Sequence, residues 1–528
     1  MKISRLKRGF PAPLNIALAI ISALLLVFSF PDFELWFLAW IGLVPLFLAI
    51  DNEKSSLPKS FFLGWLWGVF FFFGTCSWLT YAPINYAGFP AALAYFLMFG
   101  LSATVGILTG IFGTLLGFCL RNFRSYAIFS APFLWTAIEY LRFWTIGNTW
   151  NSIAYSQAFA YADIYYFPIR TGGIYFLGTL ILFWNALIYF LFVKFGDKRK
   201  IFASLSFLFL VPFLLAWAAN PAKTEIKTSV PDKSDALAAN VVAIQPNVPM
   251  SGFGMEKYYE LRRKHIELAE KGLAQIKESK DLNEQIPTLV IFPENPMNFM
   301  YSDDVEFQDF IRKFAVKHNS LVLINSLEPD SATKGYYNSA VLLDKKGDKI
   351  AQYDKMYLVP FGETVPPLVK GIIPSLVSSF VTGSEYDIFE IGKAKAGIMI
   401  CFESNFPTLS REFARNGADV LIEMTNDGYL GNTAVLRQHL ASAVFRAVET
   451  NRPVLRTTNV GVTGYINQRG EIFDAAENYA EATRVWTISK SDGSRTFYVA
   501  YGDWAAWVGI IVTLALLFLS FRKKRSEA

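Results

Sequence analysis

The sequence predicts a bundle of eight transmembrane helices that carries a soluble domain of mixed α/β type. Three observations predict this fold class. Of the 528 residues, 53% are hydrophobic, and these residues are concentrated in long blocks. Basic residues lie in alternate short loops between the blocks. Residues 221–502 instead alternate short strand-like runs with helical patterns.

Eight apolar blocks are long enough to cross about 30 Å of hydrocarbon as a helix. They cover residues 12–30, 34–50, 61–80, 90–119, 126–145, 173–193, 201–219 and 503–521. The first block follows basic residues as a signal peptide would, but no small-residue cleavage site comes after it, so we expect a retained helix. The predicted domains are 1–220 with helices 1 to 7, 221–502 as the soluble domain, and 503–528 with helix 8 and a basic tail.

The distribution of Lys and Arg predicts the orientation, because cytoplasmic loops carry the excess of both. Basic residues occur in the first eight residues, in loops 51–60, 121–124 and 194–200, and in the tail 522–525. The alternate loops 31–35 and 80–88 have none. Both termini are therefore expected in the cytoplasm and the soluble domain on the other side. The net charge of +5 reflects this topology, and binding to nucleic acid is not indicated.

The soluble segment contains a regular series of predicted elements. Strands are expected at 240–246, 288–293, 321–327, 394–404, 418–426 and 453–459, helices at 255–279, 304–317, 407–417 and 433–450, and hairpins at 338–355 and 464–473. Interleaved strands and helices with some hairpins indicate a layered α/β domain. No strand is followed by a glycine-rich phosphate-binding motif, so no nucleotide cofactor is expected.

The chain has three cysteines, and only Cys401 lies outside the apolar blocks. Cys76 and Cys119 lie within them, so no CxxC pair, metal cluster or disulfide framework is predicted. Cys401 follows an apolar run in "GIMICFES". It has two interpretations, an inert buried thiol, which is the usual state of a single cysteine, or a nucleophile.

Three ionisable residues lie at or just after predicted strand ends, where layered α/β folds place ligands: Glu294, Lys355 and Cys401. Each alone also fits a solvated or capping role. Together they predict a pocket in which opposite charges meet. Such a trio suits acyl transfer through a thioester, with the thiol attacking, the carboxylate moving the proton and the ammonium stabilising the oxyanion. The neighbouring cation and base are expected to raise the thiolate fraction.

Histidine offers an alternative base but is scarce. His265 and His318 lie in charged helical patterns. A Cys/His pair through His439 stays open, because members of a catalytic triad meet in space rather than in sequence.

Three motif blocks, "FPENP", "YDKMYLVPFGE" and "ICFES", occur in this order before "TNDGYLGNTAVLRQHLASAVFRAVETNRPVLRTTN". They resemble the nitrilase (carbon-nitrogen hydrolase) superfamily, and with the apolar blocks the whole chain resembles the apolipoprotein N-acyltransferase family. The resemblance implies an αββα sandwich with Glu294 as base, Lys355 as oxyanion partner and Cys401 as nucleophile. It also implies supporting roles for Glu363 and Glu403, for which local hydrogen bonding that holds the loops is the simpler explanation.

Two positions depart from the family pattern. Phe402 stands where members often have Tyr after the nucleophile, so ring stacking is retained and any hydroxyl role is lost. Members often have a Trp shortly after the strand at 240–246, where this chain has only Phe253. We expect activity to survive both changes.

The resemblance implies a bacterial inner-membrane enzyme with a periplasmic catalytic domain. The acyl donor would be a phospholipid, and the acceptor the α-amino group of the diacylglyceryl-modified N-terminal cysteine of a lipoprotein. No cofactor is implied. Two other functions stay open on the residues alone: a membrane-tethered amidase or nitrilase that hydrolyses a soluble amide, and a non-catalytic membrane scaffold. Loop 365–381 is nearly uncharged and too short to span, and it has two interpretations, a lipid-entry lid or a plain buried loop.

Overall fold

A computed structural model describes residues 9–195, 237–252, 254–279, 285–365 and 380–526. The chain divides into two compact units. The helical unit comprises the described residues up to 195, the segment Thr433–Ala441 and the residues from 501 onward. The α/β unit comprises the described residues from 237 to 432 and Ser442–Ala500. The predicted domain boundary at 220 lies outside the described residues, so the domain limits stay a prediction.

Eight helices of the described residues belong wholly to the helical unit. They are α1 (Pro13–Ser29), α2 (Val44–Glu53), α3 (Leu57–Cys76), α4 (Tyr81–Asn85), α5 (Ala91–Phe123), α6 (Ala131–Ile146), α7 (Ala162–Phe195) and, at the end of the chain, α13 (Trp504–Ser526). Short 3₁₀ helices connect several of them, at Trp36–Trp40, Ser77–Thr80, Arg124–Ser130 and Ile153–Gln157. Proline occupies the first turn of α1, α2, α3 and α6, where its missing N–H has no helical partner to lose.

The predicted count of eight membrane spans is not confirmed. Within the described residues, four apolar helical segments are long enough to cross a membrane: Trp36–Glu53, Leu57–Asn85, Ala91–Ile146 and Ala162–Val193. The apolar helices Pro13–Ser29 and Trp504–Ser520 are shorter, and the predicted span 201–219 lies outside the described residues. The block predicted at 173–193 belongs to a longer helix, α7, which is kinked at Gly172 and Gly173.

Helices α3 and α5 pack closely because small residues face each other. A Cβ added at Gly64 of α3 would lie 2.3 Å from the Thr109 carbonyl oxygen of α5. A Cβ at Gly113 of α5 would lie 2.4 Å from the Ser60 carbonyl oxygen of α3. Close backbone approach through small residues is a main source of association between helices in lipid.

Buried polar groups of the helical unit fasten its non-helical segments. The Glu139 carboxylate on α6 accepts the Ile153 N–H at 2.9 Å, and the Arg142 guanidinium donates to the Trp150 carbonyl and, at 2.9 Å, to the Ser152 hydroxyl. Glu139 and Arg142 are both buried. Each charged group pairs with backbone or hydroxyl groups of the segment that follows α6.

Thirteen strands lie in the described part of the α/β unit. They are β1 (Leu237–Gln245), β2 (Thr288–Ile291), β3 (Leu321–Pro329), β4 (Tyr336–Leu343), β5 (Lys349–Asp354), β6 (Phe380–Val381), β7 (Ile388–Ile391), β8 (Ala394–Ile400), β9 (Val420–Thr425), β10 (Val454–Thr458), β11 (Gly464–Ile466), β12 (Ile472–Phe473) and β13 (Ala482–Ser489). Its helices are α8 (Met255–Glu278), α9 (Val305–His318), α10 (Pro407–Arg415) and α12 (Phe497–Tyr501), and α11 (Val435–Thr450) begins in the segment assigned to the helical unit.

The strands form two sheets. One has the order β13-β1-β2-β3-β4-β5, with β6 added beside β4, and the other has the order β12-β11-β10-β9-β8-β7. Parallel pairs lie at the centre of each sheet, β1–β2–β3 in one and β8–β9–β10 in the other. The sheets contact each other through β1 with β10 and β4 with β8, while α8 covers β1 and α10 covers β8. This is a helix–sheet–sheet–helix sandwich.

One large apolar core lies under α8 and α9. Both helices present apolar residues at helical spacing, such as Leu261, Leu268 and Phe314, to the outer face of the first sheet. Asp304 caps α9 by accepting the Phe307 N–H at 2.9 Å, so the helix begins one residue after the predicted start.

Every predicted strand, helix and hairpin of the α/β unit is confirmed within a few residues. The hairpin of β4 and β5 turns at Gly347, whose φ of 79° lies in the left-handed region that glycine tolerates. Sequence patterns missed β6, β7 and β13. These are edge strands or short strands, for which half-exposed side chains give a weak alternation.

Replacing Gly113 by valine is expected to destabilise the helical unit by about 1–3 kcal/mol, because the new side chain overlaps the α3 backbone. Thermal unfolding in detergent measures the effect. Gly100→Val on the same helix is the matched control, since a Cβ there meets nothing within 4 Å. Equal unfolding temperatures for the two variants would contradict the close packing of α3 on α5.

Candidate active site

The two sheets bring the predicted polar residues together at strand ends. Glu294 lies three residues after β2, and Lys355 directly follows β5, both in the first sheet. Cys401 directly follows β8 in the second sheet and opens a short 3₁₀ helix, Cys401–Asn405. Side chains beyond the ends of strands from two facing sheets can point into one pocket without breaking either ladder.

The ammonium group of Lys355 is the centre of the site. It is fully buried, and its Nζ lies 2.9 Å from each carboxylate oxygen of Glu363. The same Nζ lies 3.6 Å from Oε1 of Glu294. A buried lysine is stable only beside opposite charge, and here two carboxylates supply it.

Electrostatics fix the charge on Lys355 and Glu363. Burial alone lowers the pKa of Lys355, but the carboxylates of Glu363 and Glu294 outweigh it and raise that pKa above its usual value. Burial opposes ionisation of Glu363 as well, yet the Lys355 charge and the N–H donors of Val359 and Asn338 lower the pKa of this carboxyl. Both groups are therefore charged, and Glu363 is fully engaged as an ion-pair partner.

Glu294 has fewer donors than Glu363. Its Oε1 accepts a hydrogen bond from Asn338 Nδ2 at 2.9 Å, and its Oε2 accepts one from the Asn426 N–H at 3.1 Å. The longer distance to Lys355 keeps this carboxylate out of the close ion pair. Its charge is also the strongest single ionic influence on the Cys401 thiol.

Cys401 has an unusual backbone conformation. Its φ of 53° lies in the left-handed region, which residues other than glycine rarely adopt. Observed backbone strain of this kind is common at functional residues, where the surrounding structure enforces it. The residue is partly exposed at the surface of the α/β unit.

The resting Cys401 side chain is a thiol. Burial and then the Glu294 charge raise the pKa of Cys401 well above its usual value, and the opposing effect of Lys355 is smaller. The expectation that neighbouring charges increase the thiolate fraction is therefore wrong for the resting site. A protonated thiol becomes a nucleophile only when a base removes its proton.

Glu403 joins the two loops that carry Lys355 and Cys401. Its Oε1 accepts the Tyr353 hydroxyl at 2.8 Å and the Met356 N–H at 2.7 Å, and its Oε2 accepts the Ile400 N–H at 2.8 Å. Burial raises the pKa of Glu403 to about 7 against these hydrogen bonds. These contacts of Glu403 agree with local hydrogen bonding that holds the loops, which is the simpler explanation of its supporting role.

The ring of Phe402 takes part in an aromatic series. It meets the Phe406 ring edge-on, with centroids 5.4 Å apart, and Phe406 stacks on Tyr357 at 3.8 Å. The Phe402 ring thus has an edge-to-face aromatic contact, and the stacking role expected at this position stays a prediction. Phe253, the other departure from the family pattern, lies outside the described residues.

The three histidines have other surroundings. His265 is buried between Phe292 and Phe299, and burial lowers its pKa to about 4, so its ring is neutral. His318 contacts Glu270 at 3.0 Å. His439 belongs to the helical unit, where its ring lies beside the Trp150 indole at 5.8 Å. The Cys/His alternative gains no support from these contacts.

Sequence reasoning assigned no role to several residues of the site. Asn338 on β4 contacts both glutamates, and the Asn426 backbone holds Glu294. Behind them, buried Arg456 on β10 pairs with Glu423 and, at 2.8 Å, with Asp427. The polar run "TND" directly after β9 was the available signal, whereas an asparagine inside a strand gives none. Among the described residues, no group of three or more His, Cys, Asp or Glu could hold a metal ion.

The fold and the site define a class of protein. Residues 263–496 match the carbon-nitrogen hydrolase family, so the α/β unit is a nitrilase-like domain. Residues 22–187 match the N-terminal domain of apolipoprotein N-acyltransferases.

Relatives that match almost the whole chain identify the family within this class. The apolipoprotein N-acyltransferase of Thermotoga maritima is 30% identical, with 99% of this chain and 97% of that protein covered. The apolipoprotein N-acyltransferase of Geobacter metallireducens is 29% identical, with 96% and 95% covered. The chain belongs to the apolipoprotein N-acyltransferase family and is a membrane-bound acyltransferase.

One solved structure resembles part of this chain. Saccharomyces cerevisiae Nit3, a member of branch 10 of the nitrilase superfamily, has a TM-score of 0.38 and 19% identity, and the match covers 50% of this chain and 95% of Nit3. The family assignment rests on the relatives and on the two family matches.

Glu403→Gln is expected to lower the free energy of unfolding by about 1–3 kcal/mol and to impair acyl transfer. An amide has only one acceptor oxygen, so its NH₂ group would face an N–H or O–H donor that the carboxylate now satisfies. Thermal unfolding and acyl transfer are measured together. Glu412→Gln, which weakens the pairs with half-exposed Arg415 and, at 3.6 Å, with Arg411, should change stability by less than about 1 kcal/mol. Equal effects of the two changes would contradict the loop-holding role.

Glu294→Gln is expected to slow acyl transfer by at least about 100-fold, because it removes the proton acceptor. Glu363→Gln should slow it by only about tenfold, because the base remains although Lys355 loses its nearest charge. The measurement is the rate of acyl transfer by each purified variant at several pH values. A larger loss for Glu363→Gln would reverse the assignment of the base.

Proposed function

We propose that the protein transfers an acyl chain from a phospholipid, through a thioester on Cys401, to the α-amino group of the diacylglyceryl-modified N-terminal cysteine of lipoproteins. The observation that carries the proposal is the convergence of a buried ammonium, Lys355, with the Glu294 carboxylate beside the Cys401 thiol. Family membership supports the lipoprotein substrate. The glutamate, lysine and cysteine act as base, oxyanion partner and nucleophile.

In the first half-reaction Glu294 removes the thiol proton while the sulfur attacks the ester carbonyl carbon of the phospholipid. The negative charge on the carbonyl oxygen is stabilised by the Lys355 ammonium. The C–O bond then breaks, and the leaving alkoxide receives the proton from Glu294. A lysophospholipid departs and the acyl group remains on sulfur.

In the second half-reaction the lipoprotein amine attacks the thioester carbonyl. Glu294 accepts the proton of the amine, the C–S bond breaks, and the sulfur is reprotonated. The product is an amide, which is more stable than either ester. Exchange of ester for thioester and then for amide needs no nucleotide or other energy source.

The membrane supports the choice of donor. Apolar helices of the helical unit hold the enzyme where phospholipid is abundant, an arrangement of little use for two water-soluble substrates. We place the protein in the bacterial inner membrane, with the catalytic domain periplasmic and both termini cytoplasmic, because basic residues occupy alternate loops. The proposed lid at 365–381 falls almost wholly outside the described residues.

Incubating the purified protein with labelled phospholipid alone should leave a hydroxylamine-sensitive acyl group on Cys401, because the acceptor for the second step is missing. Peptide mass spectrometry locates the label. Cys401→Ser should carry no such label and transfer no acyl chain. Cys119→Ala, which changes a buried cysteine of α5, is the matched control and should retain both. Label-free Cys401 in the wild-type protein would overturn the two-step scheme.

Adding a diacylated peptide to the labelled enzyme distinguishes transfer from the other functions. Transfer moves the label into an amide on the peptide. A hydrolase instead releases free fatty acid at the same rate with or without the peptide. Cells that lack their own enzyme test whether the protein is a scaffold. The Cys401→Ser variant of a non-catalytic scaffold would still complement such cells.

A further inference from the structure

Asn338 occupies a central position among the charged groups of the site, although it carries no charge. It lies on β4 and is 5% exposed. Its backbone carbonyl accepts the Lys355 N–H at 2.9 Å, which fixes the start of the lysine loop against the strand. Its side chain reaches the two carboxylates that surround the lysine ammonium.

Both hydrogens of the Asn338 amide have acceptors. Nδ2 donates to Oε1 of Glu294 at 2.9 Å and to Oε1 of Glu363 at 2.8 Å. The amide oxygen, Oδ1, accepts a hydrogen bond from Asn325 Nδ2 at 2.7 Å. Asn325 Nδ2 also donates to the Ser339 carbonyl at 3.1 Å, so its own orientation is fixed. If the Asn338 amide group were flipped, its oxygen Oδ1 would face the two carboxylates and repel them.

The two carboxylates compete for one cation. Glu363 holds Lys355 through both oxygens at 2.9 Å, whereas Glu294 lies 3.6 Å away. Like charges this close repel each other, and a lone ammonium compensates only one of them fully. A neutral group with two donors stabilises both carboxylates without attracting Glu294 into the ion pair.

We propose that Asn338 is a positioning residue: its amide holds Glu294 and Glu363 apart around Lys355 and thereby keeps Glu294 as the carboxylate that accepts the Cys401 proton. The inference rests on the proposed function and names one further residue for it. Asn338 does not touch the reacting atoms. It acts through Glu294.

Several charged groups face Glu294. Lys355 and Glu363 face it from the lysine side, and Cys401 faces it from the second sheet. Asp427 and Arg456 act on Cys401 from behind. None of these groups changes in an Asn338 variant, so a shift in the pH profile reports the loss of the amide donors.

Asn338→Ala removes the donors, and Asn338→Asp replaces them by oxygen in nearly the same shape. An ionised carboxylate that loses a hydrogen bond binds a proton more readily. The midpoint of the acid limb should therefore move up by about one pH unit for Asn338→Ala. For Asn338→Asp it should move further, because the new acidic group must take up a proton or repel both glutamates. If Asn338 acted only through its shape, the order of the two variants would be reversed, and Asn338→Asp would behave like the wild type.

The experiment measures acylation of Cys401 by p-nitrophenyl acetate as a function of pH, because attack of the protonated thiol on this ester needs the base. The product is quantified on the Cys401 peptide so that the other cysteines do not contribute. Asn240→Ala changes another buried asparagine of the same sheet, which accepts a hydrogen bond from the Thr487 hydroxyl, and should keep the wild-type midpoint. Thermal unfolding shows which variants are folded. A wild-type midpoint in folded Asn338→Ala, or wild-type behaviour of Asn338→Asp, would overturn the proposal.

Phospholipid acylation of the same variants separates this proposal from the proposed function. A tenfold slower thioester formation in Asn338→Ala, together with the shifted midpoint, supports both. A shifted midpoint in a protein whose wild type forms no thioester supports the role of Asn338 and overturns the function. An unchanged midpoint with normal acylation of the wild type overturns only the role of Asn338.

Discussion

The site depends on one buried positive charge. Lys355 is fully buried, and such an ammonium persists only because Glu363 and Glu294 lie within reach. This requirement fixes the neighbouring residues: Glu363 is committed to the ion pair, Glu294 lies at the longer distance, and Asn338 supplies neutral donors to both. Removing one member leaves an uncompensated charge in a low-dielectric pocket, so the group functions as a unit.

The sandwich fold makes this unit possible. One sheet presents the lysine and its carboxylates, and the other presents Cys401 at the end of β8. Glu403 then sets the spacing by accepting donors from both the lysine loop and the cysteine loop. The thiol rests in its protonated form, because burial and the Glu294 charge raise the pKa of Cys401. Such an arrangement protects the single cysteine of the domain from unselective chemistry.

Particular elements show where sequence patterns succeed. The parallel strands β2, β8 and β9 are mostly apolar and were predicted within a few residues, since burial of most of their side chains dictates their composition. The edge strand β13 was missed because its half-exposed side chains follow no clear alternation. The count of membrane helices was the weakest prediction, because hydropathy measures length and composition but not where a helix ends. Asn338 escaped notice because buried and exposed asparagines look alike in a sequence.

By itself, the sequence determined the fold class of the soluble domain, the presence of apolar helices and the identities of Glu294, Lys355 and Cys401, because these follow from local periodicity and from motif blocks in a fixed order. Only the tertiary structure decided which carboxylate holds the lysine, that the thiol rests protonated, and that Asn338 links the two glutamates. These properties depend on distances between strands of different sheets and on burial. Both arise when segments far apart in the chain pack together, and neither is encoded in the spacing of residues along it.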